Sequence, residues 1–185
     1  MKINYNHILK DTDDAIRQKS IKVPLPLCDE DRATLYDLLT YVRNSTDPEL
    51  SEKENLRPAV GIAAPQIGVF KQLLAIVIHK EDGSAIEYAL ANPRIVSHSV
   101  QNAYLKSGEG CLSVEDAHEG YVYRHARVCV KGYDVLVDKE ITIQASGYLS
   151  IVLQHEIDHF SGILFYDRIH KDNPWKEDPQ AMIIE

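Results

Sequence analysis

The segment from Gly147 to Phe160 constrains the fold of this chain more than any other. Its apolar side chains fall on nearly every side of a helical wheel: Tyr148, Leu149, Ile151, Val152, Leu153, Ile157 and Phe160. A helix that is apolar all round offers no face to water and lies inside a protein. At 185 residues the chain is long enough for one domain with a sizeable core. We therefore predict a single domain, residues 1–185, built around this helix.

Short segments of β-type composition lie between residues 73 and 145, separated by Gly, Asn-Pro and Asp-rich turns. They are Leu73–Ile78, Ile86–Leu90, Arg94–Ser97, Val128–Val130 and Ile141–Ala145. The segments near Val128 and Ile141 alternate apolar and polar residues, as half-buried antiparallel strands do. Upstream, Asp29–Asn44 carries leucines at helical spacing and predicts an amphipathic helix. We predict an α+β fold in which antiparallel β-sheets pack around one buried central helix.

Two polar segments are predicted to lie outside this core. Residues 45–58 turn polar after the first predicted helix, and we interpret them as an exposed loop or insertion. Residues 170–185 contain Pro174 and Pro179, which cannot sit inside one continuous helix. We interpret this last segment as an irregular C-terminal tail.

Composition excludes several classes of protein. The contents of 44% hydrophobic and 26% charged residues are typical of a globular chain. The first residues lack a signal-peptide core, and no apolar run reaches the ~18 residues of a membrane span, so we expect a cytoplasmic protein without membrane contact. The three cysteines are an odd number, which argues against a disulfide framework. A net charge of −8 without a basic cluster predicts no direct nucleic-acid binding.

His155 and His159 lie four residues apart on the buried helix, so both imidazoles can reach one cation. Glu156 lies beside them, where a carboxylate can handle the proton of a water molecule. Buried without partners, these groups would cost several kcal/mol, and a metal ion supplies the partners. The spacing predicts a metal site, although the motif also arises by chance as two ordinary polar histidines.

Two further segments carry weaker signals when each is taken alone. Cys111 lies in a glycine-rich turn, Gly108–Ser113, where glycine permits close approach of another chain. A lone cysteine is, however, more often a small buried apolar residue. The apolar stretch Ala59–Gln66 ends in a glutamine whose amide can donate a hydrogen bond.

Together the three segments resemble the motifs of the peptide deformylases. The chain contains Gly61–Gln66 (Gly-Ile-Ala-Ala-Pro-Gln), Glu109–Ser113 (Glu-Gly-Cys-Leu-Ser) and Gln154–His159 (Gln-His-Glu-Ile-Asp-His), in the order that the family has them. The resemblance covers nearly the whole chain, and the joint match is highly specific. The polar segment 45–58 and Tyr148 are similar to the longer, second class of bacterial deformylases.

The resemblance implies that Cys111, His155 and His159 hold one divalent metal ion, ferrous in the cell and replaceable by zinc, nickel or cobalt. Two imidazoles and one thiolate leave a fourth tetrahedral position open, as catalytic sites do. Glu156 is then the general base, and Gln66 and the backbone N–H of Leu112 stabilise the oxyanion.

The implied substrate is the N-formylmethionine at the start of newly made polypeptides, from which formate is released. The peptide would pair with the backbone of Val60, Gly61 and Gly110, and its methionine side chain would contact Tyr148 and Ile151. Transient contact with the ribosome follows from the nascent-chain substrate. An ion pair between Glu109 and Arg124 is expected by analogy with the family.

One position departs from the family pattern, since Ala59 stands where the family usually has glycine. We expect the added methyl group to narrow the cleft or to shift the backbone that lines it.

Two alternative functions remain open on the residues alone. The His-Glu-x-x-His motif also belongs to zinc metallopeptidases. One metallopeptidase template needs a third histidine where this chain has Phe165. Another uses a distant downstream glutamate, and here Glu177 lies in a tail interrupted by prolines, poorly suited to reach the metal. A non-catalytic metal-binding module on the same fold would need degraded machinery, yet Gln66, Leu112 and Glu156 are all present.

Overall fold

The computed structural model describes residues 2–185, an α+β fold whose helices and strands alternate irregularly along the chain. The α-helices are α1 (Asp29–Ser45), α2 (Pro48–Glu54) and α3 (Gly147–Asp158). The strands are β1 (Gly61–Ala63), β2 (Leu73–His79), β3 (Ala85–His98), β4 (Asn102–Leu105), β5 (Arg124–His125), β6 (Arg127–Asp134), β7 (Lys139–Ser146) and β8 (Met182–Ile184). Within the described residues, no helix has the length and apolar character needed to cross a membrane.

The strands form two sheets. A five-stranded sheet has the order β1-β2-β3-β6-β7, and every neighbouring pair in it is antiparallel, as predicted. A three-stranded sheet has the order β5-β4-β8, with β4 and β5 antiparallel. The prediction of purely antiparallel sheets is wrong for β8, which pairs parallel with β4. The long connection between these two strands lets the chain return in the same direction, as parallel pairing requires.

Helix α1 packs on the five-stranded sheet through the leucines that the sequence predicted. Leu35, Leu38, Leu39 and Val42 are fully buried and share one core cluster with residues of β2. The helix begins with Asp29, Glu30 and Asp31, whose charges interact favourably with the positive end of its dipole. The amphipathic helix expected at Asp29–Asn44 is confirmed, one residue longer at its C-terminal end.

Helix α3 contacts strands of both sheets: β1, β2 and β7 of the larger one and β4 and β5 of the smaller. Its Val152 and Leu153 lie in a second core cluster with apolar residues of β2, β6 and β7. The α-helix ends at Asp158, and the chain continues as a 3-10 helix over His159–Ser161. This helix therefore links the two sheets and points its C-terminal turn at the site described below.

The interpretation of residues 45–58 as a loop is wrong for Pro48–Glu54, which forms α2. Asp47 caps the helix, since its Oδ1 accepts from the backbone N–H groups of Glu49 and Leu50, both at 2.9 Å. Pro48 occupies the first turn and Asn55 adopts a left-handed conformation at the C-terminal end. No residue of α2 is buried, so the helix has no apolar periodicity by which it could be predicted.

The tail and β3 also differ from the prediction. Residues 170–185 are irregular except for β8, which pairs with Ala103–Leu105 of β4. The segments expected at Ile86–Leu90 and Arg94–Ser97 join into the single strand β3. An irregular register between β3 and β6 at Ala91/Arg94 accommodates the Asn-Pro pair that suggested a turn.

Candidate metal centre

Three predicted ligands from two separate segments meet at the C-terminal end of α3. His155 lies in the last turn of that helix and His159 begins the 3-10 helix that follows. Cys111 lies in the loop between β4 and β5. One nitrogen of each histidine and the cysteine sulfur all lie within 4.8 Å of one another, and Cys111 Sγ is 3.5 Å from His159 Nε2. A single cation can contact all three atoms.

The surroundings of the cluster fit a bound metal ion. His155 Nδ1 lies 2.8 Å from Glu109 Oε2, so its proton is directed at the carboxylate and the lone pair of Nε2 is free for a ligand bond. A donor set of two imidazoles and one thiolate suits zinc and the late first-row metals. Glu156 Oε2 is buried and has no hydrogen-bond partner within residues 2–185, as expected of an oxygen that exchanges a proton with a bound molecule.

The two histidines differ in protonation. Burial lowers the pKa of His159 well below its ordinary value, which keeps this imidazole neutral. Burial alone would also lower the pKa of His155, but Cys111 and Glu109 raise that pKa well above its ordinary value. A cation at the cluster therefore competes with a proton for His155, and metal binding is coupled to proton release.

A buried ion-pair network supports His155 through its contact with Glu109. Arg124 donates to Glu109 from Nε and a terminal nitrogen, at 2.6 and 2.9 Å, and to Asp158 at 2.9 Å. Asp158 in turn accepts two hydrogen bonds from Arg168, both at 2.6 Å. Burial raises the pKa of Glu109, but the hydrogen bonds from Arg124 and His155 outweigh it and bring the pKa down to about 2. The expected Glu109–Arg124 ion pair is confirmed, and Glu109 is ionised.

Glu156 lies on α3 next to the cluster and is 4% exposed. Burial raises its pKa to about 7, against the opposing influence of His155 and Arg124. Its side chain lies against Gly61 of β1, where an added Cβ would be 2.6 Å from Oε1. A carboxyl group that titrates near neutrality can both accept and return a proton.

Gln66 is fixed at both ends of its amide group. Its Oε1 accepts from the backbone N–H of Ala63 at 2.9 Å, and its Nε2 donates to Ser113 Oγ at 3.2 Å. The same Nε2 lies 3.4 Å from Cys111 Sγ, beside the cluster. Ser113 was not predicted as a site residue, although it is fully buried and follows Leu112 in the same motif. The burial of a serine could not be inferred from the sequence.

A cleft of about 350 Å³ opens beside the cluster. Its lining includes all the residues predicted to bind substrate or to act in catalysis: Val60, Gly61, Gly110, Tyr148, Ile151, Gln66, Leu112 and Glu156. Cys111 and His155 also line it, whereas His159 is buried and is not part of the lining. Thr46 and Arg57 line the cleft without having been predicted, because they belong to the segment that was interpreted as a loop.

The α+β fold, the cleft and the cysteine–histidine–histidine cluster beside an acid of raised pKa define a metal-dependent hydrolase. The family model of the polypeptide deformylases matches residues 5–175. The chain therefore belongs to the polypeptide deformylase family.

Relatives and solved structures of this family cover the chain almost completely. Peptide deformylase 2 of Bacillus subtilis (strain 168) is 48% identical over 183 residues, which are 99% of each chain. The crystal structure of peptide deformylase from Ehrlichia chaffeensis has a TM-score of 0.70 at 29% identity, over 90% of this chain and 89% of that one. A Met-Ala-Ser-bound class I type b peptide deformylase from Acinetobacter baumannii has a TM-score of 0.69 at 27% identity, over 91% of this chain and 100% of that one.

Proposed function

We propose that this protein is a peptide deformylase, which hydrolyses the formyl amide at the N-terminal methionine of newly made polypeptides and releases formate. The observation that carries the proposal is the cluster of Cys111, His155 and His159 next to a cleft that Cys111, His155 and Glu156 line. Membership of the family supports the substrate class. The nascent-chain substrate implies that the protein works in the cytoplasm and contacts the ribosome transiently.

We infer that Cys111, His155 and His159 are the ligands of one divalent ion, with α3 as the central helix that carries His155 and leads directly into the 3-10 helix of His159. The ion is ferrous in the cell, and zinc, nickel or cobalt can take the same ligands because the donor set does not discriminate among them. Bound there, the ion would lower the pKa of a water molecule and polarise the formyl oxygen. Glu109 keeps His155 in the tautomer that this requires.

The residues of the chain supply the proton transfers. Glu156 accepts the proton of the attacking water at its unpartnered Oε2 and returns it to the amine nitrogen that leaves. Its pKa of about 7 suits both steps at neutral pH. The backbone N–H of Leu112 and the side-chain amide of Gln66 donate hydrogen bonds to the tetrahedral oxyanion, and loss of one such donor typically costs about 10²–10³-fold in turnover.

The cleft accounts for substrate binding. The peptide backbone pairs with Val60, Gly61 and Gly110, while Tyr148 and Ile151 contact the methionine side chain; all five residues line the cleft. The Acinetobacter baumannii deformylase, whose fold this chain shares, was solved with the tripeptide Met-Ala-Ser bound. A bound peptide of that length is the expected product complex here.

The proposed function is tested by formate release from formyl-Met-Ala-Ser, with metal analysis of protein purified without oxygen. We expect Cys111→Ala to lose both the stoichiometric metal and the activity. Cys129→Ala is the matched control, because Cys129 is buried in β6 and does not line the cleft; it should keep both. Stoichiometric metal and full activity in Cys111→Ala would contradict the proposal, and cleavage of internal peptide bonds without formate release would favour a metallopeptidase.

A further inference from the structure

The cleft lining combines apolar side chains with one positive charge. The apolar side chains include Leu105, Tyr148, Ile151 and Val152, which suit the methionine side chain. Thr46, Arg57 and Pro58, which precede β1, also line the cleft. Among the described residues that line the cleft, Arg57 is the only lysine or arginine. The peptide chain beyond methionine therefore passes a positive charge as it leaves the site.

Arg57 has no carboxylate in direct contact among residues 2–185, and its nearest link to one runs through the hydroxyl of Tyr5 to Glu115. No ion pair within residues 2–185 includes it, whereas Arg43 and Arg124, for example, each face a carboxylate. Its guanidinium donates to the neutral hydroxyl of Tyr5 at 3.1 Å and is exposed to solvent. In a chain with a net charge of −8, this cation beside the cleft remains available to an external anion.

Two side chains of α1 fix the position of Arg57. The backbone N–H of Arg57 donates to the hydroxyl of Tyr41 at 3.2 Å, and this hydroxyl donates back to the Arg57 carbonyl at 3.3 Å. Ser45 Oγ accepts from the backbone N–H of Ala59 at 3.1 Å, and its own proton is directed at the Val42 carbonyl of α1 at 2.9 Å. Tyr41 and Ser45 are both buried, so the segment from residue 57 to residue 59 is anchored to the core.

The distance along this segment sets which peptide residue faces Arg57. Gly61 lies against Glu156, which marks the position of the reacting amide. Arg57 precedes Gly61 by four positions, and four residues of chain span at most about 14 Å. An extended peptide advances about 3.4 Å per residue. For a peptide antiparallel to residues 57–61, the upper bound of about 14 Å corresponds to about four residues beyond the methionine. A segment that is not fully extended brings Arg57 opposite the third or fourth residue of the peptide.

We propose that Arg57 is a specificity-determining residue, which favours formyl-methionyl peptides that carry a carboxylate at the third or fourth residue. The proposal rests on the proposed function, since it names the preferred substrate of the same cleft. A solvated ion pair contributes little, so the expected preference is about two- to five-fold in kcat/KM. The preference should decrease as salt is added, because exposed charges are screened.

The test compares amidated peptides of the form formyl-Met-Ala-Asp-Ala-Ala with matched Asn peptides, moving the charged residue from the second to the fifth position. Amidation removes the C-terminal carboxylate, which would otherwise supply the same charge. We expect the Asp/Asn ratio of kcat/KM to exceed one at the third or fourth position, to fall to one in Arg57→Gln, and to be restored in Arg57→Lys. Arg94→Gln is the matched control, since Arg94 is an exposed arginine of β3 that does not line the cleft.

The outcomes separate this proposal from the function on which it rests. Formate release with an Asp/Asn ratio of one at every position would overturn the role of Arg57 and leave the deformylase function intact. A preference that persists in Arg57→Gln, or that occurs only at the second residue, would overturn it as well. Absence of formate from every peptide would contradict the deformylase function itself.

Discussion

At the scale of single residues, the position of Glu156 depends on the absence of a side chain at Gly61. A Cβ at Gly61 would lie 2.6 Å from Oε1 of Glu156 and 2.9 Å from its Cδ and Cγ, closer than real Cβ contacts allow. All three contacted atoms belong to the Glu156 side chain, so a Cβ at residue 61 would force the carboxylate away from its position in the cleft. From the sequence we predicted both as site residues, with Gly61 only in substrate binding. Its contact with Glu156 joins two distant segments and cannot be inferred from spacing along the chain.

Gly61→Ala should therefore destabilise the protein by about 1–3 kcal/mol through overpacking, and should slow formate release by displacing the carboxylate. Urea unfolding measures the first effect. In a Glu156→Ala background the clash is absent, so the same glycine substitution should cost little. Equal costs in the two backgrounds would show that the contact with Glu156 is not the cause.

At the scale of elements, α3 is joined to the short strand β5 by a side chain of the metal motif. Gln154 accepts from the backbone N–H of His125 at 3.0 Å and donates to its carbonyl at 2.9 Å. Ser150 donates to the same carbonyl at 2.9 Å. These bonds hold β5 in place, and its other residue, Arg124, is thereby positioned to pair with Glu109. The sequence identified Gln154 as part of the motif without a role, since its partner belongs to a strand of two residues that has no periodicity.

The side chain of His125 in β5 makes the stability of the protein depend on pH. It stacks on His98 with ring centroids 3.7 Å apart, and burial, followed by the nearby His98, lowers its pKa below the ordinary value. Below a pH of about 6.5 the unfolded chain then binds a proton more readily than the folded one, so stability is present above that pH and is lost as the pH falls through the folded-state pKa.

The measurement is urea unfolding of the metal-free protein at a pH of about 7.5 and of about 5.5, on either side of the ordinary histidine pKa. His125→Gln should lose less stability between the two than the wild type does. The substitution leaves the backbone bonds to Gln154 and Ser150 in place. An equal loss in both proteins would mean that His125 does not contribute.

At the scale of the whole molecule, one ion-pair network connects segments far apart in sequence. It contains Glu109 of the cysteine loop, Arg124 of β5, Asp158 at the end of α3 and Arg168 in a late 3-10 helix. Arg124 is 3% exposed and is the arginine partner of the buried Glu109. Without it Glu109 would keep only His155, whereas Asp158 would keep Arg168. The network joins these segments around α3, and it orients His155.

Arg124→Met should destabilise the protein by about 3–5 kcal/mol, because it removes the arginine partner of the buried carboxylate of Glu109. It should also weaken metal binding by about 10–100-fold, through the loss of support for Glu109 and His155. Arg43→Met is a matched control, since Arg43 forms a two-bond pair with Glu87 at the surface; it should cost no more than about 1 kcal/mol. Comparable effects of the two substitutions would contradict the role assigned to the buried network.

Much of this molecule could be predicted from its sequence. The parts that could not be predicted share one cause. Apolar periodicity located α1, α3 and the long strands of the larger sheet, and three short motifs brought the metal cluster together. By contrast, α2 buries nothing, and β1, β4, β5 and β8 are short strands that depend on their partners. The roles of Ser113, Asp158 and Arg57 depend on contacts between distant segments, which spacing along the chain does not reveal.

The central claim is that Glu156 performs the proton transfers while Cys111, His155 and His159 hold the metal. The most direct test is the turnover of formyl-Met-Ala-Ser by Glu156→Gln, measured as formate released per bound metal ion. We expect unchanged metal content and a rate about 10²–10⁴-fold lower, the usual contribution of a general base. Full turnover with the metal retained would contradict it.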